Sequence, residues 1–153
     1  MNLRDVVNDD WVRGQAWALL FARLSLGLMF FMPGWAKVFG MGPVEHARRF
    51  FIDGYADSFL PVWSLWAVGT AIPFVELVSG ALLLLGVWRR PALLAQAAVL
   101  VTVTFGHLLA DPFFDLTTHV LPRAALVIFL LWVPQDEDWW TVPALVERLR
   151  DRP

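Results

Sequence analysis

Four runs of this 153-residue chain are too long and too uniformly apolar for the half-buried helices of a soluble domain. A helix needs roughly 20 mostly apolar residues to cross the hydrocarbon core of a bilayer. The runs fall at about 16–39, 65–86, 91–110 and 119–133. The fourth is short, which calls for a tilt or an earlier start near Asp115. A surface helix of a soluble protein keeps a polar face, and these segments do not. In lipid every backbone amide must find its partner inside the segment, so helices are the expected form. Composition agrees: the chain is 58% hydrophobic and 17% charged, against about 45–50% and about 25% for an ordinary soluble domain. The expected fold class is all-α, an integral membrane four-helix bundle forming one domain over 1–153.

The nine tryptophans sit at the ends of these runs. Trp11, Trp17 and Trp35 flank the first, and Trp63, Trp66 and Trp88 bracket the second. Trp132, Trp139 and Trp140 follow the fourth. Indole rings concentrate at both membrane–water interfaces. Orientation follows the Lys and Arg of short loops. One side holds Arg4, Arg13, Arg89, Arg90, Arg148, Arg150 and Arg152; the other holds Lys37, Arg48, Arg49 and Arg123. This bias predicts a multi-pass protein of the cell inner (plasma) membrane with both termini cytoplasmic. The opening MNLRDVVNDDWVRG is polar and acidic for too long to be a secretory signal, so the first apolar run is expected to stay in the mature protein. Two further segments are amphipathic. PVEHARRFFI, about 43–52, gathers Val44, Ala47, Phe50 and Phe51 on one helical face. TVPALVERLR, about 141–150, offers Thr141 as a cap and Val142, Leu145, Val146 and Leu149 as an apolar stripe. Both read as short interfacial helices.

Some chemistry is excluded. A net charge of −2 speaks against a nucleic-acid partner. The chain has no cysteine, hence no disulfide and no thiolate ligand. Two His and two Asp near the outer ends carry no tight ligand spacing such as HExxH, so no metal is expected. No haem or flavin motif is visible.

Ionisable residues at membrane depth are costly and usually face the bundle interior. At about 1.5 Å rise per residue, Arg23 lies about 10 Å in from residue 16 and Glu76 about 15 Å in from residue 86. The first structural expectation is therefore an Arg23–Glu76 ion pair. The alternative is that Arg23 snorkels to the interface and leaves Glu76 protonated. A second polar group lies towards the outer side. Lys37 ends the first run. His107 and Asp111 stand at i and i+4, as do His119 and Arg123, with Asp115 between them. A His beside a carboxylate can carry protons near neutral pH, so His107, Asp111, His119 and Arg123 are the proton-transfer candidates. Hydrogen bonding at the interface is the plainer role for both His. Pro33 and Pro73 free the carbonyls of Met29 and Gly69. Gly27 and Gly34, seven apart, share a face that permits close helix approach; Gly69 and Gly80 are placed to do the same on the second run.

Taken in order, these residues resemble the DoxX family of four-helix membrane proteins. RLSLGLMFFMPGWAKVFG is similar to the family's opening run through Arg23, Leu24, Gly27, Gly34 and Lys37. PFVELVSGALLLLGVWRRPALLA is similar to its second span and basic turn through Glu76, Gly80, Leu84, Gly86 and Arg90. His107 falls where such proteins often carry a His. Many relatives have an acidic residue near the start of the fourth span, where this chain reads THVLPRAAL, with Arg123. The resemblance covers roughly residues 18 to 133. It implies a link to quinone-coupled redox systems, since relatives include the DoxD-type small subunit of thiosulfate:quinone oxidoreductase.

Two functions follow as expectations. In the first, the chain is a membrane subunit of a quinone-coupled oxidoreductase system and binds a quinone or small hydrophobic ligand within the bundle. Arg23, Glu76, His107 and Lys37 are then the head-group candidates, and electrons come from a soluble or membrane redox partner or from a small substrate. In the second, the chain is a non-enzymatic scaffold or assembly protein, or a small-solute carrier if it forms a homo-oligomer. Whether it is an enzyme stays open at this point.

Overall fold

A computed structural model describes the backbone of residues 3–134 and 138–150, and side chains from residue 14 onward within those ranges. All regular structure among the described residues is helical. Helix α1 (Leu3–Trp35) widens at its end into a π-helical stretch, Ala36–Met41, just after Pro33 has removed one backbone donor. Gly42, at φ 90°, breaks the chain, and Pro43 opens the short α2 (Pro43–Ala47) at the position where a missing N–H costs nothing. A second π-helical stretch, Arg48–Ile52, continues α2. Then come α3 (Val62–Leu85), α4 (Arg89–Ala110), α5 (Leu121–Trp132) and α6 (Val142–Arg150).

Three of these helical segments are long and apolar enough to cross a bilayer: Gly14–Met41, Val62–Leu85 and Arg89–Ala110. The chain is a multi-pass membrane protein. The fourth apolar run is different. Its helix has 12 residues, about 18 Å at the usual rise against a core of about 30 Å. It does not start near Asp115, because residues 117–120 form turns before Leu121.

Helices α1 and α3 make the most extensive contact, followed by α3 with α4; α5 packs on α1 and α4. Lipid tails are as apolar as leucine, so helices gain little by hiding Leu from lipid and associate through close packing of small residues. Gly34 and Gly80 show this directly. A Cβ on Gly34 would stand 2.4 Å from the Leu77 nitrogen, and one on Gly80 would stand 2.5 Å from the Phe31 nitrogen. Gly69 gives α2 its seat on α3, where a Cβ would stand 2.8 Å from the Ala47 Cα. Leu19, Ala22, Leu26 and Phe30, at helical spacing on α1, meet Ile72 and Leu83 of α3, Leu93 and Val99 of α4, and Val127 and Leu130 of α5 in one core.

One end of the bundle is held by Arg23. Helix α3 stops at Gly86 (φ 71°), whose N–H bonds the Leu83 carbonyl while that of Val87 bonds Leu82. This is a Schellman ending, and it leaves the last carbonyls facing outward. Arg23 reaches them, donating to Leu83 O at 2.8 Å and Leu84 O at 2.6 Å. Its remaining donors bind Asp138 at 2.9 Å and Trp140 O at 2.8 Å. Asp138 also accepts from Arg89 at 2.9 Å. Arg23 is 1% exposed. Its charge is compensated by a carboxylate and by the negative end of a helix, the requirement for a buried guanidinium. The anticipated Arg23–Glu76 pair is therefore not formed; Arg23 instead reaches the end of the bundle where Asp138 and Trp140 lie. Depth along the sequence brought the two residues to similar levels, but Asp138, from the polar stretch after α5, comes back to meet Arg23.

Candidate functional site

At the other end of the bundle, Glu76 pairs with Lys37. The Lys37 Nζ donates to both carboxylate oxygens, at 2.9 and 2.7 Å. The glycine contact sets this up. Gly34 lets α1 lie against Leu77, and Lys37, three residues on, then faces Glu76. Glu76 is 8% exposed, and a carboxylate this deep needs a cation beside it.

The Lys37–Glu76 pair stands between two cavities. The larger, of about 400 Å³, is a partly open cleft among α2, the segment that follows it, α3 and α4. Its walls are Phe50, Phe51, Leu65, Val68, Ile72 and Val103, and its polar groups are Lys37, His46, Tyr55 and His107. The smaller, of about 190 Å³, is bounded by Glu76, Lys37, His107, His119 and Arg123 with Met29 and Pro33. Lys37, Val103 and His107 line both.

His46 is fixed with unusual definition. Pro73 has no N–H, so the Gly69 carbonyl one turn earlier lacks its helical partner. The His46 Nδ1 lies 2.8 Å from that oxygen. A carbonyl can only accept, so Nδ1 carries the proton. Burial lowers the His46 pKa from its ordinary value; the Gly69 bond and Glu76 oppose this, and the Lys37 charge adds to it. Tyr55, the single tyrosine of the chain, seats its hydroxyl on Gly106, where a Cβ would stand 2.5 Å from the oxygen. Burial raises its pKa, which keeps the phenol protonated as a donor.

The structure brings Lys37, Glu76 and His107 to one site and leaves Arg23 at the far end, outside it. The two anticipated His pairs take other forms. The His107–Asp111 relation holds only while a helix continues, and α4 ends at Ala110. Asp111 turns to φ −142° and accepts from the Phe113 N–H at 3.0 Å. The His107 ring stacks instead on Phe114, with centroids 4.1 Å apart and planes 2° from parallel. His119 lies in the turn before α5, and Arg123 donates to its carbonyl rather than meeting its ring. Asp115 is exposed and accepts from the Thr117 N–H at 2.8 Å; the Thr117 bonds hold its pKa below the usual carboxylate value. His119 and Arg123 still border the smaller cavity.

Sequence reading passed over His46, Tyr55 and Asp138. Each left a trace. The carbonyl freed by Pro73 needed a donor, the lone Tyr followed the amphipathic segment, and a buried Arg23 needed a carboxylate near its own end of the bundle.

The arrangement offers an aromatic-walled cavity with donors at Lys37 and Tyr55 and an acceptor at His46, beside a smaller cavity bordered by Glu76. The family model DoxX matches residues 18–108. No curated protein matches the chain, and no solved structure does.

Proposed function

Because the chain belongs to the DoxX family of membrane proteins, we propose that it is the membrane subunit of a quinone-coupled oxidoreductase system and holds a quinone head group in the larger cavity. One observation carries this reading. Lys37, His46, Tyr55 and His107 converge on an apolar cavity of about 400 Å³, within the range of small-ligand pockets and with the sparse polar groups such sites use. Phe50 and Phe51 supply faces for the ring, and Lys37 or Tyr55 donates to a ring oxygen. Reduction of a quinone consumes two electrons and two protons. The electrons come from a redox partner. The protons pass along the smaller cavity, where His107 and Glu76 stand between the ligand and the surface groups His119 and Arg123. Asp111 drops out of this route. In the membrane, α5 completes a four-helix bundle with α1, α3 and α4, both termini lie in the cytoplasm, and α2 and α6 lie at opposite interfaces of the inner membrane.

The test is mass spectrometry of isoprenoid quinones co-purifying with gently extracted protein, wild type beside Val68→Phe, which puts a bulkier side chain into the wall of the cavity. Quinone in the wild type and none in a folded Val68→Phe supports the reading. Quinone absent from both, with native helix content, defeats it and leaves the polar cluster a packing device of a scaffold.

A further inference from the structure

The two oxidation states of a quinone differ in hydrogen bonding. The oxidised ring has carbonyls, which only accept; the hydroquinone has hydroxyls, which donate. A cavity that presents a fixed acceptor therefore distinguishes them. The larger cavity contains one. His46 has its Nδ1 proton committed to the Gly69 carbonyl at 2.8 Å, and that carbonyl is available because Pro73 supplies no competing N–H. In the neutral ring Nε2 is then bare. It has no protein partner among the described residues and is not sealed in the packing, and His46, 4% exposed, borders the cavity.

Resting on the reading of this cavity as a quinone site, we infer that His46 Nε2 is an obligate acceptor that makes the site select a ring hydroxyl, the hydroquinone form, over the quinone carbonyl. A carbonyl placed at Nε2 would set two lone pairs against each other, and both would lose water without a replacement. A hydroxyl placed there donates to Nε2, while the opposite ring oxygen accepts from Lys37 or Tyr55, which border the same cavity. His107 also borders it, but no hydrogen bond fixes its tautomer among the described residues, so it serves either form. The charged groups facing His46 are Lys37 from the end of α1 and Glu76 from α3; with burial they leave its pKa below the ordinary value, so the ring is neutral at pH 7. A site that rejects an analogue by leaving its own polar group unpaired discriminates more strongly than one that misses an apolar contact.

The experiment is anaerobic equilibrium binding to the full chain in lipid nanodiscs at pH 7, with decylubiquinol, decylubiquinone and the bis-methyl ether of the hydroquinone as probes. The hydroquinone should bind about tenfold or more tighter than the quinone and the ether. His46→Asn keeps a donor to the Gly69 carbonyl and deletes Nε2. It should bring the hydroquinone and quinone to within about twofold, weakening the hydroquinone by loss of its acceptor and relieving the lone-pair clash with the quinone carbonyl. Equal binding of both forms by the wild type, or a preference for the quinone, overturns the inference and leaves the cavity a quinone site. Binding of neither form overturns the cavity reading and the inference with it. Imidazole ¹⁵N shifts of the wild type give an independent reading, since a protonated Nε2 at pH 7 refutes the inference whether or not the variant folds.

Discussion

Replacing Lys37 by Met and Glu76 by Gln together should cost less than the two single changes summed, whereas Arg23→Met and Glu76→Gln should simply add. The Lys37–Glu76 contact is a doubly hydrogen-bonded ion pair at 2.7–2.9 Å. Two unit charges about 4 Å apart attract by about 4 kcal/mol at an effective dielectric near 20. Lys37 is 27% exposed, so screening and side-chain entropy reduce this to a coupling of about 1–3 kcal/mol. Arg23 meets α3 at Leu83 and Leu84. These lie seven and eight residues past Glu76, about 10–12 Å along the helix. With no shared partner at that separation, its coupling to Glu76 should stay below about 0.5 kcal/mol. The assay is reversible unfolding in mixed micelles at pH 7, followed by tryptophan fluorescence, with both double-mutant cycles completed. An Arg23–Glu76 coupling above about 1 kcal/mol, or none between Lys37 and Glu76, would refute this assignment of charges to opposite ends of the bundle.

Asp138→Ala strands the 1%-exposed Arg23 guanidinium and should cost about 3–5 kcal/mol, seen as a lower midpoint in the same unfolding assay. Gly34→Leu places a Cβ 2.4 Å from the Leu77 backbone nitrogen. It should destabilise by about 1–3 kcal/mol or more, and quinone retention should fall with it because Lys37 moves off Glu76. Stability should also depend on the His46 proton. Its folded pKa lies below the ordinary value, so the unfolded chain binds the proton more readily. The stabilisation is complete above the ordinary pKa of about 6.5 and is lost as pH falls through the folded value. Unfolding midpoints taken from pH 7 downward should drop, and His46→Asn should flatten that limb. Pro73→Ala returns an N–H to Gly69 and should weaken the His46 bond, read as a mixture of tautomers in the imidazole ¹⁵N spectrum.

What the chain reveals by itself is local. Apolar length marks runs at about 16–39, 65–86 and 91–110, and each falls in a helical segment able to cross a membrane, Gly14–Met41, Val62–Leu85 and Arg89–Ala110. Glycine spacing marks the face where α1 and α3 approach, and proline marks the carbonyl that His46 later binds. These follow from neighbours a few residues apart, so a one-dimensional reading holds them. The pairing of charges does not. Arg23 was matched to Glu76 by depth alone, yet its partner Asp138 is 115 residues away and Glu76 is taken by Lys37. Depth gives a charge one coordinate, while a pair also requires rotation about each helix axis. That rotation is set by which glycines touch, Gly34 on Leu77 and Gly80 on Phe31. The His107–Asp111 relation failed for a related reason: an i, i+4 face exists only as long as its helix, and α4 ends one residue short of Asp111. The cavity belongs to the tertiary structure alone, because α2 must fold back on α3, and Tyr55 in the segment after it must reach Gly106 of α4, before His46 and Tyr55 can face Lys37 and His107.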